Sequence, residues 1–297
     1  MTDHVVNGQA QVLNGGAQRD GSRKPYDLAL QEHDFPYREG PPQRSILICT
    51  HPRSGSTLLG EALYAAGDLG CPLEYFHRGF RPGLERRWNV QGIDALTQAA
   101  HSRRTTASGI LSAKLFWQDI EVIAHELDPG RYAPPPWTSA EITSPQAYRD
   151  LRISIGHIFP NPTWVYLLRR DRVRQAVSAL VATQSGVWRM IPGVGDASCA
   201  AEPVYDRERI AALVALANYT SDRWTKFFDA ITACPYVVTY EDLDRDYETT
   251  VTDLLRHLDR PVKAPPRRMR RQSDARSEAL VLRFLRDSQT PFNQASG

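Results

Sequence analysis

Five residues in one short stretch could do chemistry together. In THPRSGSTLLGEAL, Thr50–Leu63, the residues Arg53, Ser54, Gly55, Ser56 and Thr57 fall in a single tight turn just ahead of an apolar pattern with helical spacing. The first turn of a helix projects free N–H groups, and the helix dipole favours negative charge there. Gly55 lets the backbone come close to a ligand. The hydroxyls of Ser56 and Thr57 can donate hydrogen bonds, and Arg53 can add a charge-assisted bond to a phosphate or sulfate. The plainer alternative is a strand–turn–helix with a surface arginine, and five compatible residues in one turn weigh against it. The first glycine and the lysine of GxxxxGK[ST] are both missing. The stretch therefore points to a phosphate compound other than a magnesium-bound nucleoside triphosphate.

A second constellation follows a later apolar run. Leu167-Leu168-Arg169-Arg170-Asp171 leads into a helical pattern that carries Ser178. Ligands of open α/β sheets bind at strand ends, so one of these two arginines with Ser178 can hold a second phosphate. The alternative is a helix start with its arginines in solvent.

The elements that must position these residues are readable in part. Ser45–Thr50 is an apolar run rich in β-formers and bounded by prolines, and predicts a buried strand. Ser56–Ala66 predicts a helix with Leu58, Leu59, Ala62 and Leu63 on one face, stopped by Gly67. Ile110–Phe116 predicts a strand and Gln118–Leu127 a helix. Asp128–Pro145, with five prolines, reads as a loop or lid. Thr163–Leu168 reads as a strand, Asp171–Thr183 as a helix and Gln184–Pro203 as an irregular loop. Arg207–Phe228 reads as a long helix, Tyr236–Thr239 as a strand and Glu241–Leu258 as another helix. Strands alternating with helices predict an α/β protein with a largely parallel central sheet. Residues 1–43 are polar and lack an apolar period, and are expected to form a flexible N-terminal tail ahead of a single domain over 44–297.

Composition narrows the function classes. The chain has 297 residues, 41% of them hydrophobic, and a formal net charge of +2. That is enough apolar material for a sizeable core and too little charge to imply a polyanion partner. From Arg260 to the end there are nine Lys or Arg against three Asp or Glu, which suits either a compact anionic ligand or a solvated helix face. Basic and aromatic residues do not interleave as a nucleic-acid-stacking surface requires, so no nucleic-acid partner is expected. The four cysteines form no CxxC pair, and no zinc site is expected. The N-terminus lacks a signal-peptide core, and no apolar stretch approaches the ~20 residues of a membrane span. A soluble, cytoplasmic protein is the expectation.

The two phosphate constellations together resemble the sulfotransferases that use 3′-phosphoadenosine-5′-phosphosulfate (PAPS). Arg53 stands where the cytosolic enzymes of that group carry lysine, and Arg169, nine residues before Ser178, matches the arginine of their 3′-phosphate element. The resemblance narrows to the bacterial trehalose 2-sulfotransferase family. AAGDLGCPLEYF (Ala65–Phe76) resembles its ATG…P-x-E-[FY]-F, and KLFW (Lys114–Trp117) its K-L-x-W. RRDRVRQAVSALVATQSGVWR (Arg169–Arg189) resembles its R-x-D-x-x-x-QAVS…Q-x-x-x-W. RRQSDARSEALVLRF (Arg270–Phe284) resembles its C-terminal motif, with Ala279 where an aromatic is usual.

The resemblance implies a P-loop-like three-layer fold. It implies an enzyme that moves a sulfuryl group from PAPS, with no metal, to a hydroxyl of trehalose, a related sugar or another hydroxylated metabolite or lipid. It casts Glu74 as the general base, a residue that its type alone would leave among ordinary surface carboxylates. Arg53 with Ser54–Thr57 would stabilise the leaving 5′-phosphate. Arg169, Ser178, Arg270 and Arg271 would hold the 3′-phosphate. Lys114 would bind the sulfuryl oxygens or the acceptor, Trp117 and Trp188 would offer flat faces to a sugar or to adenine, and Tyr240-Glu241-Asp242-Leu243 would serve as structure near the nucleotide. A homodimer is compatible with the family. A P-loop kinase or nucleotide hydrolase and a non-catalytic anion-binding protein are the competing classes.

Overall fold

The computed structural model describes residues 27–137, 144–188, 202–269 and 275–289. Its centre is a sheet of four strands, Arg44–Thr50 (β1), Ile110–Phe116 (β2), Pro162–Leu168 (β3) and Tyr236–Thr239 (β4). The order is β2-β1-β3-β4 and every pairing is parallel. Side chains alternate across a strand, so the apolar run of β1 serves both faces. Ile46 and Ile48 enter one core with Val165, Leu167 and Val238, while Leu47 and Cys49 enter the other with Leu111, Ala113, Leu115, Trp164 and Tyr166.

Helices cover both faces. Ser56–Ala66 (α1) supplies Leu58, Leu59, Ala62 and Leu63 to the first core. Arg81–Trp88 (α2), Ile93–Arg104 (α3) and Trp117–Leu127 (α4) line the second. Pro145–Ser154 (α5) and Arg207–Ala230 (α7) pack on that side also. Between them in sequence, Arg172–Ser185 (α6) meets α7 and the C-terminal helix Ala275–Gln289 (α10) in a third cluster. Tyr240–Arg245 (α8) and Tyr247–His257 (α9) follow β4, and α9 closes the first core. No helix among the described residues is long and apolar enough to cross a membrane.

The strand and helix expectations agree with this fold, with three corrections. The expected Glu241–Leu258 helix is two helices. Asp246 leaves helical geometry (φ −138°) and its carboxylate accepts from Thr249 N–H, which starts α9. The expected loop through Pro145 ends one residue early, because Ser144 caps α5 and Pro145 takes its first turn, where a missing N–H costs nothing. Part of the stretch 27–43, expected in the tail, is packed: Leu28 and Ala29 are buried in the second core.

Connections from β1 go first to β2 on one side, then across to β3 on the other. The crevice between the C-terminal ends of β1 and β3 is therefore the switch point where ligands of such sheets bind. The loops after these two strands carry Arg53 and Arg169.

Candidate active site

The turn after β1 is shaped by two left-handed residues. Arg53 has φ 66° and Gly55 has φ 84°. Gly55 is also tightly overlaid, since a Cβ there would lie 3.0 Å from Tyr240 Cδ2. Ser54 is fully buried. Its Oγ donates to His51 O (2.8 Å) and accepts from Gln175 Nε2 (2.8 Å), which also donates to Pro52 O (2.9 Å). Ser54 and Gln175 thus rivet the loop to α6. No side chain caps α1 and no acidic residue lies in its first turn, so among the described residues nothing neutralises its N–H groups at Ser56 and Thr57.

The start of α6 is the opposite case. Asp171 caps it by accepting from Arg174 N–H (2.8 Å). Glu241 accepts from the N–H groups of Arg170 (3.0 and 3.1 Å) and Asp171 (3.1 Å). The N–H groups of Arg170, Asp171 and Arg174 are thus spent on carboxylates, and side chains supply the positive charge for an anion here. Arg169 is buried, donates to Arg53 O (3.2 Å), and stacks over Tyr240 with its guanidinium carbon 4.3 Å from the ring centroid. Arg53 Nε donates to Ser178 Oγ (3.0 Å) and its terminal nitrogen to Trp188 O. Arg53, Arg169 and Ser178 therefore converge, whereas the Arg170 side chain is 62% exposed and turned to Asp242 (3.3 Å). Burial and the neighbouring Arg169 charge push the Arg53 guanidinium down to about 10. Two guanidiniums packed this closely form a site that gains from an anion.

The third part lies at the edge of β2. After α1 the chain turns at Gly67, and Ser112 Oγ donates to Leu69 O. Gly70 passes so close to β2 that a Cβ on it would lie 2.6 Å from Ser112 N, and Leu73 adds a parallel bridge to Ala113 with Lys114 N–H donating to Leu73 O (3.0 Å). This docking brings Glu74 against the Lys114 side chain, Nζ to Oε1 2.8 Å. Both side chains are buried, at 7% and 4% exposure. Glu74 Oε2 is buried and has no hydrogen-bond partner among the described residues. His77, three residues on, accepts from Gly79 N–H at Nδ1 (3.1 Å) and sits edge-on to Phe116; burial lowers it to about 4 despite the Glu74 charge.

The structure thus gathers Arg53, Ser54, Gly55, Ser56, Thr57, Arg169 and Ser178 at one crevice and pairs Glu74 with Lys114. Trp188 is half-buried beside Arg53, and its buried indole N–H has no partner among the described residues. Trp117 is a correction. It has no exposed surface, stands edge-on to Trp224 (5.1 Å) and meets Tyr148 and Phe227, so it is core and offers no face to a ligand. Helix α4 begins at Trp117 itself, directly after β2, which turns the indole inward. Arg270 and Arg271 lie outside the described residues. Sequence reasoning read Glu241 only as structure near the nucleotide, without its backbone partners, and missed Gln175 as a loop-fixing residue. Their partners are backbone groups and a serine of distant segments, which leave no local pattern.

Comparison with known proteins gives the family. Residues 45–287 match the family model of the Stf0 sulphotransferases. The chain is 28% identical over 267 residues to a trehalose 2-sulfotransferase of Mycobacterium tuberculosis, covering 81% of this chain and 94% of the relative. It is 28% identical over 272 residues to a trehalose 2-sulfotransferase of Mycolicibacterium smegmatis, covering 82% and 95%. The crevice, its two guanidiniums and the family match over most of the chain lead to one conclusion: this protein belongs to the Stf0 sulphotransferase family and is a sulfotransferase.

Proposed function

We propose that the enzyme transfers the sulfuryl group of PAPS in line to a hydroxyl of trehalose or a related sugar, with Glu74 as general base. The observation that carries this reading is the buried Glu74–Lys114 pair, whose Oε1 is held at 2.8 Å while Oε2 remains unengaged among the described residues. A carboxylate fixed by one oxygen presents the other to an acceptor hydroxyl.

The residues fit the donor. The uncapped start of α1, with Arg53, suits the 5′-phosphosulfate, and Arg169 with Ser178 suits the 3′-phosphate. In the reaction the acceptor oxygen forms a bond to sulfur as the bond from sulfur to the 5′-phosphate oxygen breaks. The hydroxyl proton goes to Glu74, and the electron pair of the broken bond leaves on the phosphate. Arg53 and the N–H groups of the first turn of α1 stabilise that charge, and the fixed turn spares the enzyme reorganisation. Lys114 faces the sulfuryl oxygens once the acceptor engages Glu74, and Trp188 lends an indole face and N–H beside them. Arg270 and Arg271 are assigned to the 3′-phosphate by motif alone. The relatives named for trehalose make that sugar the first acceptor to try. The test is to incubate the protein with PAPS and trehalose and seek the sulfated sugar and adenosine 3′,5′-bisphosphate by mass spectrometry. Binding of the bisphosphate without sulfated trehalose would keep the donor assignment and move the acceptor.

A further inference from the structure

The segment ahead of the family match is tied to the back of the loop that carries Glu74. Residues 27–34 lie before the matched region, which begins at residue 45. They are held by Arg104, the last residue of α3, which has no exposed surface. Its guanidinium donates to Leu28 O (2.6 Å) and Leu30 O (3.1 Å), pairs with Asp34 (2.8 Å), and donates to Cys71 Sγ (2.9 Å). Asp34 also pairs with Arg87 (3.0 Å) and accepts from Trp88 Nε1 (3.2 Å), and Arg87 donates to Ala29 O. Farther along, His33 Nδ1 shares a hydrogen bond with Tyr64 OH (3.0 Å).

Cys71 is three residues before Glu74. Its carbonyl accepts from Tyr75 OH, a fully buried side chain immediately after Glu74. The 71–75 segment therefore has β2 on one side and Arg104 with the 27–34 segment on the other. A buried guanidinium is tolerated only when its donors are matched, and here most of its acceptors come from the N-terminal segment. If that segment leaves, the charge beneath Cys71 loses two carbonyls and a carboxylate together.

We infer that residues 27–34 form an arm that positions Glu74 through Arg104 and Cys71. Arg104 and Asp34 are positioning residues and touch no substrate. The inference rests on the reading of Glu74 as the base, and extends it to a segment outside the family match.

The test is hydrogen exchange and kinetics on full-length Asp34→Asn, which keeps the side-chain shape and removes the charge facing Arg104. Amides in 71–77 should exchange at least ~5-fold faster, with those of the donor loop, 53–60, unchanged. With PAPS and trehalose, kcat should fall on the order of 10-fold while KM for PAPS stays put, the pattern of a misplaced base. Arg104→Met, the harsher variant, should raise exchange over the same residues. Unchanged exchange at 71–77, or equal loosening of 53–60, overturns the inference. So does faster exchange at 71–77 with kcat intact. If the wild-type chain does not sulfate trehalose, the acceptor assignment fails, and exchange at 71–77 alone decides whether the arm holds the loop.

Discussion

Replacing Lys114 by Met tests whether the Glu74–Lys114 pair is as desolvated as its geometry says. The lysine stem runs beside Gly60, where a Cβ would lie 3.5 Å from Lys114 Cδ, so methionine keeps the packing while removing the cation. What remains is a carboxylate at 7% side-chain exposure that has lost a partner at 2.8 Å. Breaking one side of a buried pair costs about 3–5 kcal/mol, against ~0–1 kcal/mol for a surface pair. For a chain of this size that is a drop of roughly 10 °C in Tm. Glu74→Gln alone should also destabilise, because it leaves the ammonium buried beside a neutral amide. The double variant removes both charges and should be cheaper than the sum of the two, with a coupling of at least ~2 kcal/mol. Urea unfolding of the four proteins in the cycle measures this directly. Additivity within ~0.5 kcal/mol would refute the reasoning, since it would mean that water already screens the pair.

Three other outcomes are expected. Gly55→Ala forces φ 84° on a residue with a Cβ and presses that atom against Tyr240; stability should fall by about 1–2 kcal/mol and affinity for adenosine 3′,5′-bisphosphate should fall with it, as calorimetry can show. Ser178→Ala removes a hydroxyl at the convergence of Arg53 and Arg169; bisphosphate affinity should weaken by ~5–10-fold, while adenosine 5′-phosphate, lacking the 3′ group, should bind wild type and variant alike. His51 is lowered to about 3 by burial and by the Arg172 charge, from an ordinary 6.5. Between those values the unfolded chain binds a proton that the folded chain refuses, so its contribution is complete above about pH 6.5 and is lost as pH falls towards 3. The urea midpoint should therefore drop less between pH 7 and pH 4.5 in His51→Gln than in the wild type.

What the sequence made legible was local. Ser56–Ala66 and Tyr236–Thr239 are read to the residue because an apolar pattern ends at Gly67 in one and Pro235 precedes the other. The crevice was legible for the same reason: the residues of 53–57 are consecutive, and Arg169 just precedes the helix that carries Ser178. Helix α2 escaped because RPGLERRW carries a glycine, a proline and three arginines, and its burial rests on Leu84 and Trp88 alone. The Glu74–Lys114 pair joins residues 40 apart, and only the docking of 69–73 on β2 creates it. The arm looked like a tail because it binds largely through backbone carbonyls, which every sequence has. Trp117 shows the reverse error: an aromatic near a predicted site was taken for a ligand face when the helix began one residue earlier than its pattern suggested.

The central claim is sulfuryl transfer with Glu74 taking the hydroxyl proton. The most direct measurement is product formation from PAPS and trehalose by wild type and Glu74→Gln side by side, with adenosine 3′,5′-bisphosphate affinity measured on both. Wild type should yield sulfated trehalose. The variant should lose at least ~10²-fold in kcat, the usual worth of a general base, and keep its nucleotide affinity. Equal turnover by the two proteins would contradict the claim.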